Sequence, residues 1–485
     1  MNNNKRENSK NNPTAIVIFG GTGDLSKKKL LPALFHLYIE GFLPEVFRVI
    51  GISRKELSDE NYRKLVEEAI VAKGHEHGKE LIGKFLENIY YKKGCSGESC
   101  TYEDLSYLLL KLDAEAGMCM NKLFYLSVPP SSYGDIFKHL SASGLNTPCG
   151  GEGAGWARVL VEKPFGENLE TAKALDSQLT AFFKEEQIFR IDHYLAKDAV
   201  QNLLAFRFSN LLFEDSWHNG DIEKVHIKLY ENFGIEGRGS FYDESGALRD
   251  VGQNHMLQIL ALIAMENQGV FEPENIIKER AKVFQALKIY SQEEAAVNSV
   301  RAQYKGYLDT EGVLKDSKTE TYFLVKAFIE NERWKGVPFY LESGKALGES
   351  KVEIVVEFKA APHCVCGDED SHNHKNILTL SIQPKQAVEM KFWVKKPGMA
   401  FKLEEQSLKF EYEKEKNGNG QNINRLPDAY EKVLYDCIAG DRTLFATSGE
   451  VEAAWKFIDP IIMTWKRGSP ELDFYEIGEK PKIDL

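Results

Sequence analysis

No stretch of the 485 residues approaches the roughly 18 consecutive apolar positions of a membrane-crossing helix, so no membrane partner is expected. The opening residues, MNNNKRENSKNN, lack the apolar core of a secretory leader and read, over 1–13, as a disordered polar tail. Positive charge is in deficit: 61 Lys and Arg against 73 Asp and Glu leave a net −12. Such a surface repels nucleic-acid backbones, and no basic run offsets it, so no nucleic-acid partner is expected. Any phosphate chemistry must be local, built from a few placed cations. Cysteine is sparse and odd in number, seven in all, which without a leader predicts free thiols in a reducing cytoplasm. A fixed-period repeat is also missing, which argues against solenoids and propellers. What remains is ordinary globular material, 43% hydrophobic and 28% charged, in a chain too long for one core.

The first part alternates strand and helix patterns. Apolar strands are predicted at 15–19 (AIVIF), 47–52 (FRVIGI), 122–126 (KLFYL) and 158–162 (RVLVE), with helices at 28–40, 59–72 and 132–140 between them. That rhythm implies an α/β Rossmann-type, doubly wound domain over 14–191. Beyond it, alternating strands at 223–230, 352–359, 377–382 and 387–394 separate from helices at 197–212, 246–265 and 448–459. This predicts an α+β domain with a large, mainly antiparallel sheet over 192–485.

Phe19-Gly20-Gly21-Thr22-Gly23-Asp24-Leu25-Ser26 follows the first strand and opens a helix. Glycines there let the backbone approach a pyrophosphate, and the helix N-terminus offers free N–H groups to its oxygens. Gly21 and Gly23 fit the G-x-G-x-x-G pattern, while Ser26 stands at the third position. The second strand ends Gly51-Ile52-Ser53-Arg54, without the acid that would hold a ribose 2′-hydroxyl. An arginine there, with Lys28 and Lys29 nearby, suits a 2′-phosphate and favours NADP over NAD.

Three further segments carry chemistry. Lys163 lies at a strand end, before Pro164, where doubly wound sheets face their ligand crevice. In Arg190-Ile191-Asp192-His193-Tyr194-Leu195-Ala196-Lys197, a helix beginning nearby would put His193 and Lys197 on one face with Tyr194 beside them. Together these make a cradle for a phosphomonoester. Asp192 could cap that helix or orient a distant imidazole. His255 ends the polar run RDVGQNH ahead of the apolar MLQILALIAM, which suits a crevice wall.

GGTGDLSKKKL, EKPFG, RIDHYLAK, RDVGQNH, VPFYLESGKAL and KKPGM, in this order, resemble the glucose-6-phosphate dehydrogenase family over essentially the whole chain. The resemblance implies oxidation of glucose 6-phosphate at C1 with NADP, the first step of the oxidative pentose phosphate pathway. It implies His255 as general base, Asp192 as its partner, and His193, Tyr194 and Lys197 as phosphate ligands. Lys163, Glu231, Asp250 and Lys345 would contact the sugar or its phosphate, with Gln383 near the second sheet. The cofactor would draw on Gly20, Gly21, Thr22, Gly23, Asp24, Leu25, Arg54, Tyr125 and Lys163. A homodimer or homotetramer through the second sheet is implied as well.

Two departures from the family pattern stand out. Where many relatives carry a second basic residue five positions beyond the lysine matching Lys345, this chain has Ser350 followed by Lys351. Either Lys351 substitutes or a phosphate contact is missing. The chain ends at Leu485, and no second, structural NADP is expected. Cys364-x-Cys366 and His372-x-His374 offer four zinc-type ligands, but their spacing fits no common structural site, so no metal is expected. Two rivals remain. A glucose–fructose oxidoreductase type of enzyme would lack RIDHYLAK. A catalytically silent NADP sensor need not keep Asp192, His255 and Lys197 together.

Overall fold

The computed structural model describes residues 13–74, 78–149, 155–270, 272–361, 374–412 and 427–485. Two sheets organise it. The first runs β15-β6-β5-β4-β1-β2-β3. Its strands are β1 (Thr14–Phe19), β2 (Phe47–Ser53), β3 (Ile89–Lys93), β4 (Asn121–Leu126), β5 (Ala157–Val161), β6 (Ile188–Ile191) and β15 (Phe445–Ala446). All pairings are parallel except that of β15 on β6. β1 and β4 are buried at every position, as strands covered by helices on both faces must be. The strand order reverses between β1 and β4, and the crevice outside their carboxyl ends is where such sheets bind ligands.

The second sheet has nine strands in the order β14-β13-β12-β11-β7-β10-β9-β8-β16. They are β7 (Ile222–Tyr230), β8 (Ser299–Tyr304), β9 (Tyr322–Ala327), β10 (Phe339–Gly344), β11 (Lys351–Phe358), β12 (Ile377–Gln383), β13 (Ala387–Lys395), β14 (Leu403–Glu411) and β16 (Leu472–Tyr475). Only β7 with β10 and β8 with β16 pair in parallel. β11 alternates strictly between buried and half-buried positions, the mark of a strand with one face on the core. The helix Leu257–Ala264, buried at every residue, belongs to the same hydrophobic core as the inner side chains of β11.

Several expectations need correction. The first domain is not closed by residue 191, because β15 comes from the far end of the chain and completes the sheet edge. The helix Ser448–Lys466 runs about two turns beyond the predicted stop and caps that region; its Trp455 Nε1 donates to Phe165 O at 2.9 Å. Nor are all the thiols free. Cys119 and Cys149, with Cα atoms 5.8 Å apart, form a disulfide at the amino-terminal side of β4 and β5, while Cys95, Cys100 and Cys437 are unpaired. The tail 1–12 and Cys364, Cys366 and His372 lie outside the described residues; His374 packs edge-on against Trp393 at 4.2 Å. Among the described residues, no helix is long and apolar enough to cross a membrane.

Candidate active site

The glycine turn is tight for steric reasons. Gly20 has φ +85°, and a Cβ there would lie 2.1 Å from the Ser127 carbonyl oxygen. A Cβ on Gly21 would sit 2.8 Å from Gly51 Cα, so β1 and β2 could not approach as they do. Ser26, at the third-glycine position, is fully buried and donates from Oγ to Gly20 O at 2.9 Å, tying the helix start back to the turn. Thr22 Oγ1 donates to Ser53 Oγ at 3.0 Å, which joins the turn to the end of β2 beside the exposed Arg54. The helix opens at Asp24 and Leu25, whose N–H groups have no carbonyl one turn earlier. The turn thus fits a pyrophosphate.

Lys28 and Lys29 each have a carboxylate partner of their own. Ser26–Leu30 is wound as a π-helix; Lys28 pairs with Asp24 at 2.9 Å, and Lys29 pairs with Asp428 at 3.1 Å on another side of the helix. Tyr125 is fully buried and its hydroxyl donates to Glu162. Its side chain therefore holds Glu162 instead of offering a surface to the cofactor.

Past β6 the chain turns before its helix begins, so His193 and Lys197 do not meet as neighbours on one helical face. Asp192 Oδ1 accepts from Tyr194 N–H at 2.9 Å, and i→i+3 bonds link Leu195 to Asp192 and Lys197 to Tyr194. A carboxylate bonding its own backbone two residues on competes with helix formation. The helix begins only at Asp198 (Asp198–Phe208). His193, Tyr194 and Lys197 still converge, through turns. The Tyr194 and His255 rings stack at 4.3 Å, His193 meets His255 edge-on at 4.6 Å, and Lys197 Nζ lies 3.5 Å from the Tyr194 ring centre.

The second half of the site comes from an unusual helix. Chain reversal at Gly246 (φ 72°) is followed by a π-helix over Leu248–Met256, where an α-helix was expected. Bonds of i→i+5 type widen the turn, so Asp250 and His255, five apart, share a face. His255 Nδ1 lies 2.6 Å from Asp192 Oδ1, and both side chains are at least 96% enclosed. Burial alone would raise the Asp192 carboxyl, but His255 beside it holds it well below the usual carboxylate range. An ionised carboxylate only accepts, so Nδ1 carries the proton and Nε2 is the free base. Burial also lowers the His255 imidazole, against the opposing pull of Asp192. His193 is pushed down to about 3 by burial and then by His255, which leaves it neutral at pH 7.

His255 faces a cavity of about 320 Å³ whose walls include Lys163, His193, Tyr194, Glu231, Asp250 and Lys345. Charges alternate along it. Lys163 Nζ donates to Asp250 O at 2.8 Å, Lys345 lies 3.6 Å from Asp250 Oδ2, and Lys345 also binds Glu231. Burial would raise Asp250, yet Lys163 and Lys345 hold its carboxyl low. Across His193 opens a second pocket of about 280 Å³, lined by Lys29, Lys197, Gln383, Asp428 and Tyr430 among others. Lys197 Nζ donates to Gln383 Oε1 at 3.0 Å. Burial lowers Lys197 to about 8, so it stays mostly charged at neutral pH.

Lys351 is not part of either pocket. Its register opposite Tyr230 directs it to Glu349 and Glu353, at 2.8 and 3.3 Å, while Ser350 binds Asn232. Lys29, Asp428, Tyr430, Arg249 and Asn254 line the pockets without having been singled out as their walls. Arg249 and Asn254 flank Asp250 and His255 in one motif and could have been read from it. Asp428 and Tyr430 carry no local signal.

Comparison with known proteins fits this geometry. The sequence model described as glucose-6-phosphate dehydrogenase, NAD binding domain, matches residues 17–202, and that of the C-terminal domain of the same enzyme matches 204–482. The chain belongs to the glucose-6-phosphate dehydrogenase family. A relative named glucose-6-phosphate 1-dehydrogenase, from Aggregatibacter actinomycetemcomitans, is 42% identical, covering 96% of this chain and 93% of its own. A glucose-6-phosphate dehydrogenase solved with its substrate glucose-6-phosphate superposes with a TM-score of 0.88 at 34% identity, covering 97% of this chain and 96% of the other. The Mycobacterium avium enzyme gives 0.80 at 31%, over 96% and 95%. The chain is thus an oxidoreductase of this family with a dinucleotide-binding first domain.

Proposed function

We propose that the protein oxidises D-glucose 6-phosphate at C1 to 6-phospho-D-glucono-1,5-lactone, with NADP as acceptor. The observation that carries this reading is the buried His255–Asp192 pair, whose free Nε2 faces a cavity lined by alternating Lys and carboxylate groups. Oxidising a hemiacetal needs a base that is uncharged at neutral pH, and this imidazole is. Its Nε2 takes the proton of the 1-hydroxyl. Asp192 keeps the tautomer and stabilises the imidazolium that forms, as in hydrolase triads. NADP, when bound, supplies the hydride acceptor at the crevice between β1 and β4. Lys163, Asp250, Glu231 and Lys345 hold sugar hydroxyls, each cation restrained by a carboxylate so that its position is fixed before substrate arrives. Lys197, His193 and Tyr194 take the phosphate, as a charge and hydrogen-bond donors. Arg54 takes the 2′-phosphate of NADP. A homodimer or homotetramer through the second sheet accompanies this reading, supported by exposed apolar side chains on its edge strand, Leu408 and Phe410.

The test is direct. Purified protein mixed with glucose 6-phosphate and NADP should accumulate reduced nicotinamide, faster than with NAD and far faster than with free glucose. No reduction with any of these pairs would refute the assignment; equal rates with free glucose would refute the phosphate pocket.

A further inference from the structure

Glu162 follows β5 and precedes Lys163, yet the lysine's contacts go to Asp250. The Glu162 carboxylate instead accepts from the Tyr125 hydroxyl in β4, and the Tyr430 hydroxyl, from the first turn of the helix Ala429–Ala439, faces the same carboxylate. Tyr430 lies nearly parallel to the His193 ring, 6.3 Å between centres and 11° between planes. Its backbone N–H donates to Asp428 Oδ1 at 2.9 Å, and the other oxygen of Asp428 holds Lys29. One carboxylate therefore stands where a strand end, a helix from the far end of the chain and the imidazole of the phosphate pocket meet.

We propose that Glu162 is a positioning residue of the phosphate pocket: holding the Tyr125 and Tyr430 hydroxyls together, it fixes the aromatic wall that aligns His193 on a phosphorylated sugar. The inference rests on the sugar-phosphate reading given above. His193 is neutral and offers a single N–H, so a small tilt of its ring costs the contact entirely. Tyr430 on one side and Tyr194 and His255 on the other leave it little freedom while Tyr430 stays in place. Glu162 lines neither pocket, so its loss weakens binding of the phosphate end and spares the hydride step. Desolvation pushes its carboxyl up to about 6, with Tyr125, Lys163 and Tyr430 pulling it down and Asp192 pushing it up; the Tyr133 hydroxyl donates to its backbone oxygen at 3.4 Å. Below that pH one oxygen becomes a donor, and two phenols compete for the acceptor left.

The experiment compares full-length wild type, Glu162→Gln, Tyr430→Phe and the double variant, with glucose 6-phosphate and NADP on both sides of pH 6. Each single change should raise KM for the sugar phosphate about tenfold, with kcat within about threefold and KM for NADP unaltered. The double variant should be no worse than either single one, since both break the same link. Wild-type KM should climb below pH 6 more steeply than that of Glu162→Gln; the substrate's own phosphate titration is common to both. Additive losses, a fall in kcat at constant KM, or parallel pH profiles would overturn the role of Glu162. If Glu162→Gln does not fold, Tyr430→Phe alone decides, because it removes one hydroxyl and unaltered KM there ends the proposal. Absence of any turnover by wild type would instead end the functional reading beneath it.

Discussion

Replacing Asp192 by Asn removes a charge and keeps the shape. The carboxylate meets His255 at 2.6 Å, and neither side chain is more than 4% exposed. Unit charges about 4 Å apart attract by about 4 kcal/mol at an effective dielectric of about 20. That energy is available only once the imidazole has taken the proton, so it stabilises the transition state and not the bound substrate. Its loss should lower kcat about 10³-fold. Asp192 does not line the substrate cavity, so KM for glucose 6-phosphate should stay within about threefold. Asp192 is also what pulls the His255 imidazole upward. The acid limb of the residual activity should therefore move to lower pH in the variant. Stability follows the same pair. The folded-state carboxyl lies below its unfolded value of about 3.9, so its contribution is complete above that pH and fades as pH falls towards the folded value. The variant should melt below wild type at neutral pH, and the two should converge in acid. Initial rates of nicotinamide reduction across pH, with thermal melts on the same samples, measure all of this. A kcat loss under about tenfold, or an acid limb that moves upward, would refute the reasoning.

Other outcomes follow from the same geometry. His255→Asn should lower kcat at least 10²-fold with a modest change in KM, read from full saturation curves; turnover near wild type would misplace the base. Lys197→Ala removes a charge-assisted contact worth about 1.5–3 kcal/mol, so KM for glucose 6-phosphate should rise about 10- to 100-fold while free glucose is oxidised as slowly as by wild type. Arg54→Asp should shift preference towards NAD, measured as the ratio of kcat/KM for the two cofactors; an unchanged ratio removes Arg54 from the 2′-phosphate site. Cys119→Ser opens a covalent loop whose ends are 30 residues apart, and should cost about 3–4 kcal/mol in denaturant unfolding with kcat and KM intact. Equal stability of oxidised and reduced wild type would show that the link contributes nothing.

The central strands β1, β2, β4 and β5 of the first sheet and β7, β11, β12 and β13 of the second were legible because burial dictates their pattern; the other strands of both sheets were not read. β1 reads as an apolar run because both its faces are covered, and β11 alternates because only one is. The glycine turn, His255 and Asp192 were legible as residue types in a setting. Three things were not. The turn between β6 and the helix at Asp198 forms because Asp192 spends its oxygen on its own backbone, a choice that hydrophobic spacing does not record. The π-helical stretch over Leu248–Met256 has the composition of an α-helix, and only its bonding widens it. Lys29 and the pair Asp428 and Tyr430 meet at the phosphate pocket across a separation of 399 residues, with no motif joining the two segments. Lys351 was misplaced for the opposite reason: sequence adjacency to Ser350 suggested a shift that strand register forbids.

The two-residue strand Phe445–Ala446 has a consequence for how this molecule is made. Until it arrives, β6 presents an open row of amide and carbonyl groups, and Arg158, stacked on Trp156, lacks the carbonyls of Cys437 and Ile438 to which it donates. A ribosome must pass residue 438 before the first debt is settled and residue 446 before the second. During that interval the nascent nucleotide half carries a sticky border of the kind that recruits stray strands. Clipping the last fifty residues should thus harm the beginning of the protein as much as its end.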